Sequence, residues 1–245
     1  MKRGLLWVLA LVCVAGFVRL GFWQLDRARY KDALLAHSGQ VVAARKAEPL
    51  AAAIDAPMPA SDDNAYAWTT GSGHFLPLPA VLLDNQSRNG RSGVRVYRAF
   101  QPDGAKHATL VELGWRELPA DRKLPVEPPL DGAMRVEGLL APPPSAGISL
   151  GSGAIERQPD GALLLMRLDP SQVAQALALP NGLAPRVLRL DPALKLGYAR
   201  DLDVLSGTLP PGQHRGYAVQ WFAMAAGLLI ASLIVSRRKS DKKDS

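Results

Sequence analysis

The chain has 245 residues, 48% of them hydrophobic, a formal charge of +7 and a pI near 9.8. That basicity is not a nucleic-acid footprint. Lys2 and Arg3 supply +2, the tail from Arg237 onward a further +3, and no basic stripe interleaved with aromatics lies between. The single cysteine, Cys13, excludes a disulfide framework, a CxxC redox or zinc motif, c-type haem attachment and a thiolate copper chaperone.

The first predicted element is an apolar run, Gly4–Val18, that extends through Arg19 to about Leu25. A helix needs about 20 residues to cross the hydrocarbon core of a bilayer, and this run reaches that length. Met1-Lys2-Arg3 resembles the start of a signal peptide, but no small-x-small cleavage site ends the run, so an uncut anchor is expected. Helical spacing continues through Leu25, Ala28 and Leu35 to about Ser38, and the Ala/Pro-rich stretch 43–59 reads as irregular.

Short strands broken by turn residues follow: Tyr66–Thr70, Ala80–Asp84, Val94–Phe100, Thr109–Trp115, Met134–Leu140, Ala162–Leu168 and Val187–Leu190. Asn89-Gly90 marks a tight turn, because both residues tolerate positive φ. Asp169 reads as a helix cap, with Pro170 in the first helical position and Val173 and Leu177 on the buried face. The last element is a second apolar run, Tyr217–Val235, free of charge. Both outer ends are basic, which places both termini in the cytoplasm.

The expected fold is therefore a membrane protein in which two transmembrane α-helices flank a β-rich extracytoplasmic domain: α+β, antiparallel and barrel-like. Its parts are an N-terminal span with a basic tail (1–25), the domain (26–216), a C-terminal span (217–235) and a basic tail (236–245). The acid-poor, Arg-rich pattern of an organellar transit peptide is missing, which favours a bacterial inner membrane with the domain in the periplasm.

Few residues offer chemistry. Gly147–Gly151 (GISLG) fits a serine-hydrolase elbow by spelling, but a proline-rich stretch precedes it and no helix follows, so it reads as a loop. His37, His74 and His107 stand alone in polar surroundings, and no Asp/Glu cluster suggests a metal site. His214 differs. On a helix it shares a stripe with Tyr217, Ala218 and Trp221 at the mouth of the second span. Two readings are open: a wet histidine in an interfacial aromatic belt, or an axial ligand to haem iron, with the macrocycle against the helix. Arg19 and Arg27, at the end of the first span, are either snorkelling cations or partners for a propionate or another anion.

Four segments carry a family resemblance. "GFWQLDRARYK" (Gly21–Lys31) and "HRGYAVQWFAMA" (His214–Ala225) resemble the membrane signatures of the Surfeit-locus, Shy-type cytochrome c oxidase assembly factors. "LLDNQSRNGRSGVRVYRAF" (Leu82–Phe100) and "TLVELGWREL" (Thr109–Leu118) resemble its domain blocks. Gln86, where the family usually has arginine, and Glu112-Leu113, in place of Asn-Arg, mark a divergent member. The resemblance implies a non-enzymatic factor that helps haem a enter subunit I of a haem–copper oxidase and stabilises that subunit. It further implies His214 as the iron ligand, Tyr217 and Trp221 against the macrocycle, Trp23 closing the site, and Arg19 or Arg27 meeting propionates. Partners would be subunit I, haem a synthesis proteins or other assembly proteins, and the membrane, with no nucleic acid. The alternative is a protein-binding scaffold for oxidase subunits that never touches haem.

Overall fold

The computed structural model describes residues 2–58, 65–130, 132–144, 154–205 and 208–241. The chain forms two compact units, one from the residues up to Leu34 together with those from Leu209 onward, the other from Leu35 to Thr208. Helix α1 (Lys2–Ala44) is followed by β1 (Glu48–Pro49), α2 (Leu50–Asp55), β2 (Ala67–Phe75) and β3 (Val81–Arg88). Strands β4 (Arg91–Pro102), β5 (Ala108–Glu117), β6 (Ala133–Ala141), β7 (Glu156–Arg157) and β8 (Leu163–Leu165) come next. Helix α3 (Pro170–Ala176), β9 (Leu183–Leu190) and helix α4 (Pro211–Asp241) complete the order.

All seven strands read from the sequence are present. They belong to one mixed sheet in the order β1-β2-β6-β9-β5-β4-β3-β8-β7. Two expectations need correction. The sheet is not purely antiparallel, because β1–β2, β3–β8 and β5–β9 run parallel. β8 and β9 are reached by long connections rather than hairpins, and such connections permit parallel neighbours. Nor is it a closed barrel. β2 also meets β4, but only over the three pairs from Gly73↔Pro102 to Phe75↔Phe100. Beyond β4 the sheet runs on through β3, β8 and β7.

The central strands are covered on both faces, so their apolar residues run on rather than alternate. Leu82, Val94, Val96, Val111 and Leu188 join one core, which α2 closes with Leu50 and Ile54. Their neighbours Val81, Leu83, Tyr97, Leu110 and Val187 join the other, which α3 closes with Val173 and Leu177. Part of the stretch 43–59 is therefore regular, since β1 and α2 lie within it. Leu50, Ala53 and Ile54 hold the i, i+3, i+4 spacing of a buried helical face, and α1 continues past Ser38 to Ala44.

Local signals act as the chemistry requires. Asn89 (φ 51°) and Gly90 (φ 75°) make the two-residue turn between Arg88 and Arg91, which pair directly. Asp169 caps α3 by accepting from the backbone N–H groups of Ser171 and Gln172. The Ser171 hydroxyl, joined by these backbone bonds, holds the Asp169 carboxyl below its ordinary value against burial. Asp169→Ala should cost about 1 kcal/mol. A lowered folded-state pKa means that the contribution is full above the ordinary carboxylate value of about 3.9 and is lost as pH falls through the folded value. Melts of wild type and variant should therefore converge in strong acid. GISLG lies outside the described residues.

The other unit is a helix pair. Gly4–Ala44 and Pro211–Arg237 contain windows of mean hydropathy 2.3 and 2.0, of which only 6% and 11% is buried. A core helix of a water-soluble protein would bury most of such a window. These helices are long and apolar enough to cross a membrane, and a continuous helix satisfies its own backbone there.

Candidate functional site

Antiparallel packing of α1 and α4 builds the site. Low on the pair the Phe17 and Trp221 rings lie 5.7 Å apart and Phe22 meets Phe222 edge-on at 5.3 Å, and further along α1, Gln24 reaches back to His214 near the start of α4. Higher up, Lys31 donates to the Leu209 carbonyl and Arg215 pairs with Asp32. Small residues let the backbones approach. Ala28 on α1 and Ala218 and Ala225 on α4 are buried. At Gly21 a Cβ would sit 2.5 Å from the Phe222 ring. Close packing of this kind replaces the hydrophobic drive that lipid removes.

His214 is turned into this interface and is only 7% exposed. Its Nδ1 lies 2.7 Å from the Gln24 side-chain oxygen. That oxygen can only accept, so Nδ1 carries the proton in the neutral ring and Nε2 keeps its lone pair. Nε2 is buried and has no hydrogen-bond partner among the described residues. A histidine whose second nitrogen is fixed by an acceptor has the arrangement that metal-ligating histidines use. The donor chemistry therefore fits haem iron. The same burial means that Nε2 is covered while α1 and α4 are closed on each other.

The residues singled out in the sequence do not all converge. His214 and Trp221 face α1, whereas Tyr217 is 41% exposed. The expected stripe thus splits along its length. Trp23 is 49% exposed, and the Arg27 guanidinium lies 5.9 Å from its ring centroid. Arg19 is exposed and, at 100° per residue, stands on the side of α1 turned away from α4. Gln24, Gly21, Phe17 and Phe222 complete the interface. Gln24 was visible as part of a signature, but its role as the acceptor for His214 needs the partner helix.

The two domain blocks meet at a polar cluster inside the sheet. Glu112 on β5 is 3% exposed and accepts from Arg95 at 3.0 Å and Tyr97 at 3.2 Å, with Arg189 at 3.4 Å. Burial, then the Glu112 charge, pushes the Tyr97 hydroxyl well above its ordinary value, so it stays a donor. The Trp115 indole donates to the Gln86 backbone carbonyl at 3.0 Å, so that bond does not depend on which side chain stands at position 86.

Two long apolar helices and a mixed-sheet domain, with one buried histidine held at the helix pair, are consistent with the class of membrane-anchored proteins. The SURF1 family model matches residues 11–226, and the chain belongs to the SURF1 family. That family is associated with cytochrome oxidase assembly, and its members are assembly factors, not enzymes. No curated protein matches the chain.

Proposed function

We propose that the chain helps haem a enter subunit I of a haem–copper oxidase and stabilises that subunit, from a bacterial inner membrane with both termini cytoplasmic and the sheet domain periplasmic. Family membership supports the oxidase, and basic tails outside both apolar runs support the orientation. One observation carries the haem reading: a buried imidazole, oriented by Gln24, whose Nε2 has no partner among the described residues. When bound, haem would supply the iron that takes that lone pair.

In this reading His214 is the iron ligand and Gln24 fixes its tautomer. Trp221 and Tyr217 flank the ring system, and Trp23 with Arg27 stands at the same helix end. Because Nε2 is covered in the closed pair, receiving haem requires the Gln24–His214 end of the pair to open. The closed pair then keeps other ligands off the nitrogen until that happens.

The burial of Nε2 also favours a second reading, in which His214 only ties α4 to α1 and the chain is a scaffold that holds oxidase subunits. Absorption spectra decide between them, taken on protein co-expressed with the haem a synthesis enzymes. The haem reading expects a haem a spectrum in wild type that is lost in His214→Ala, while far-UV circular dichroism is unchanged. Haem affinity should fall about tenfold in Gln24→Ala, the lower end of the 10- to 100-fold range of lost outer-shell partners. Wild type without haem, with oxidase assembly still dependent on the protein, would leave the scaffold.

A further inference from the structure

The flank of α1 carries a second arrangement, of which Trp23 and Arg27 stand at the helix end that holds His214 and Arg19 lies on the side turned away from α4. Arg19, Trp23 and Arg27 recur at i, i+4 and i+8, so they form one column up the helix. All three are exposed. The upper guanidinium stacks toward the indole at 5.9 Å. Neither arginine has a hydrogen-bond or ion-pair partner among the described residues, whereas neighbouring Arg29 is paired with Asp26 at 3.0 Å.

The level of Arg19 can be read from the packing. Its helix neighbours Phe17 and Gly21 pack against Trp221 and Phe222. Those residues lie one turn beyond Tyr217, where the uncharged run of α4 begins, which is about 6 Å along the axis. Arg19 is thus a lipid-facing cation inside an apolar span. A guanidinium there is costly unless it reaches the headgroup layer and meets an anion. Trp23 marks that layer, since exposed indoles collect at the membrane interface. Arg27 approaches the same layer from the water side.

From this geometry we infer that Arg19, Trp23 and Arg27 form a binding site for the phosphodiester headgroup of an anionic phospholipid, held at the outer flank of α1. Arg19 reaches the phosphate from the hydrocarbon side, Arg27 from the aqueous side, and the Trp23 indole lies between them. The fork of each guanidinium matches phosphate oxygens. A net anionic lipid is preferred because it brings no headgroup cation to compete for the phosphate. The bound lipid fixes how deep α1 sits and leaves the α4-facing side free. This site stands independently of haem binding at His214.

The test uses the full chain, prepared without haem, in nanodiscs holding equal amounts of phosphatidylglycerol and phosphatidylcholine. Native mass spectrometry counts the lipids retained on release. Wild type should retain phosphatidylglycerol in preference. Arg19→Gln and Arg27→Gln should each lower that preference roughly fivefold, the factor corresponding to about 1 kcal/mol per arginine at a membrane surface. Arg29→Gln, which removes the same charge from a residue already paired, should leave it unchanged. Equal retention of the two lipids by wild type would overturn the site, and so would equal losses in all three variants. A third outcome also overturns it: lipid retention insensitive to Arg19→Gln and Arg27→Gln, combined with loss of haem from the same variants in haem-loaded protein, would assign the column to propionates instead. All three substituted residues are exposed, and unchanged helix content by circular dichroism confirms that each variant folds.

Discussion

Glu112→Gln is expected to destabilise the sheet domain by about 3–5 kcal/mol, the cost of leaving buried cations without their counter-charge. Glu112 is almost fully buried, and Arg95 and Arg189 both converge on its carboxylate, with Tyr97 donating as well. Arg189 keeps other acceptors, the carbonyls of Asp201 and Asp203. Arg95 makes no other side-chain hydrogen bond among the described residues, so it bears most of the loss. Denaturation of the full chain, followed by tryptophan fluorescence, should show the shift. A double variant gives a sharper check. Glu112→Met with Arg95→Met should cost less than Glu112→Met alone, because removing both charges also removes the unpaired one. A double variant as unstable as the sum of its parts would mean that the cluster acts by shape and not by charge.

The second large effect concerns the helix pair. Gly21→Leu places its first side-chain carbon against the Phe222 ring, where Gly21 now allows contact. The Phe222 ring does not turn aside freely, because it is itself packed edge-on against Phe22. The helices must separate, at a cost of roughly 1–3 kcal/mol for overpacking. Gln24 stands less than one turn away, so its bond to His214 is strained first. Cellular oxidase levels should fall as far as they do in His214→Ala. Phe222→Ala added to Gly21→Leu makes room and should restore most of the activity. If the double variant stays as defective as the single one, the defect does not come from lost contact between α1 and α4.

Much of this molecule was legible in its residues, for reasons that can be named. Asp169-Pro170 and Asn89-Gly90 act through their own backbone, so their signals survive without tertiary context. The seven strands were visible as apolar runs, although their partners were not: nothing local tells Val187 that it will lie parallel to Leu110. Helix α2 was hidden because its buried face is one Leu, one Ala and one Ile within alanine-rich sequence. The histidine was visible as an oddity at the mouth of an apolar run. Which way it turned was not, because that depends on Gly21 and Gln24 far back in the chain. The same dependence separated Tyr217 from Trp221 and put Arg19 on the opposite side of α1 from the histidine.

The hydrogen bond between Gln24 and His214 joins residues 190 positions apart. During synthesis the first helix is made with its glutamine exposed, and the histidine that completes the pair appears only after the whole sheet domain has been translated. No truncated or stalled nascent chain that stops before His214 can present the assembled helix-pair site. The site's existence therefore reports that translation has passed His214 and that α4 has met α1.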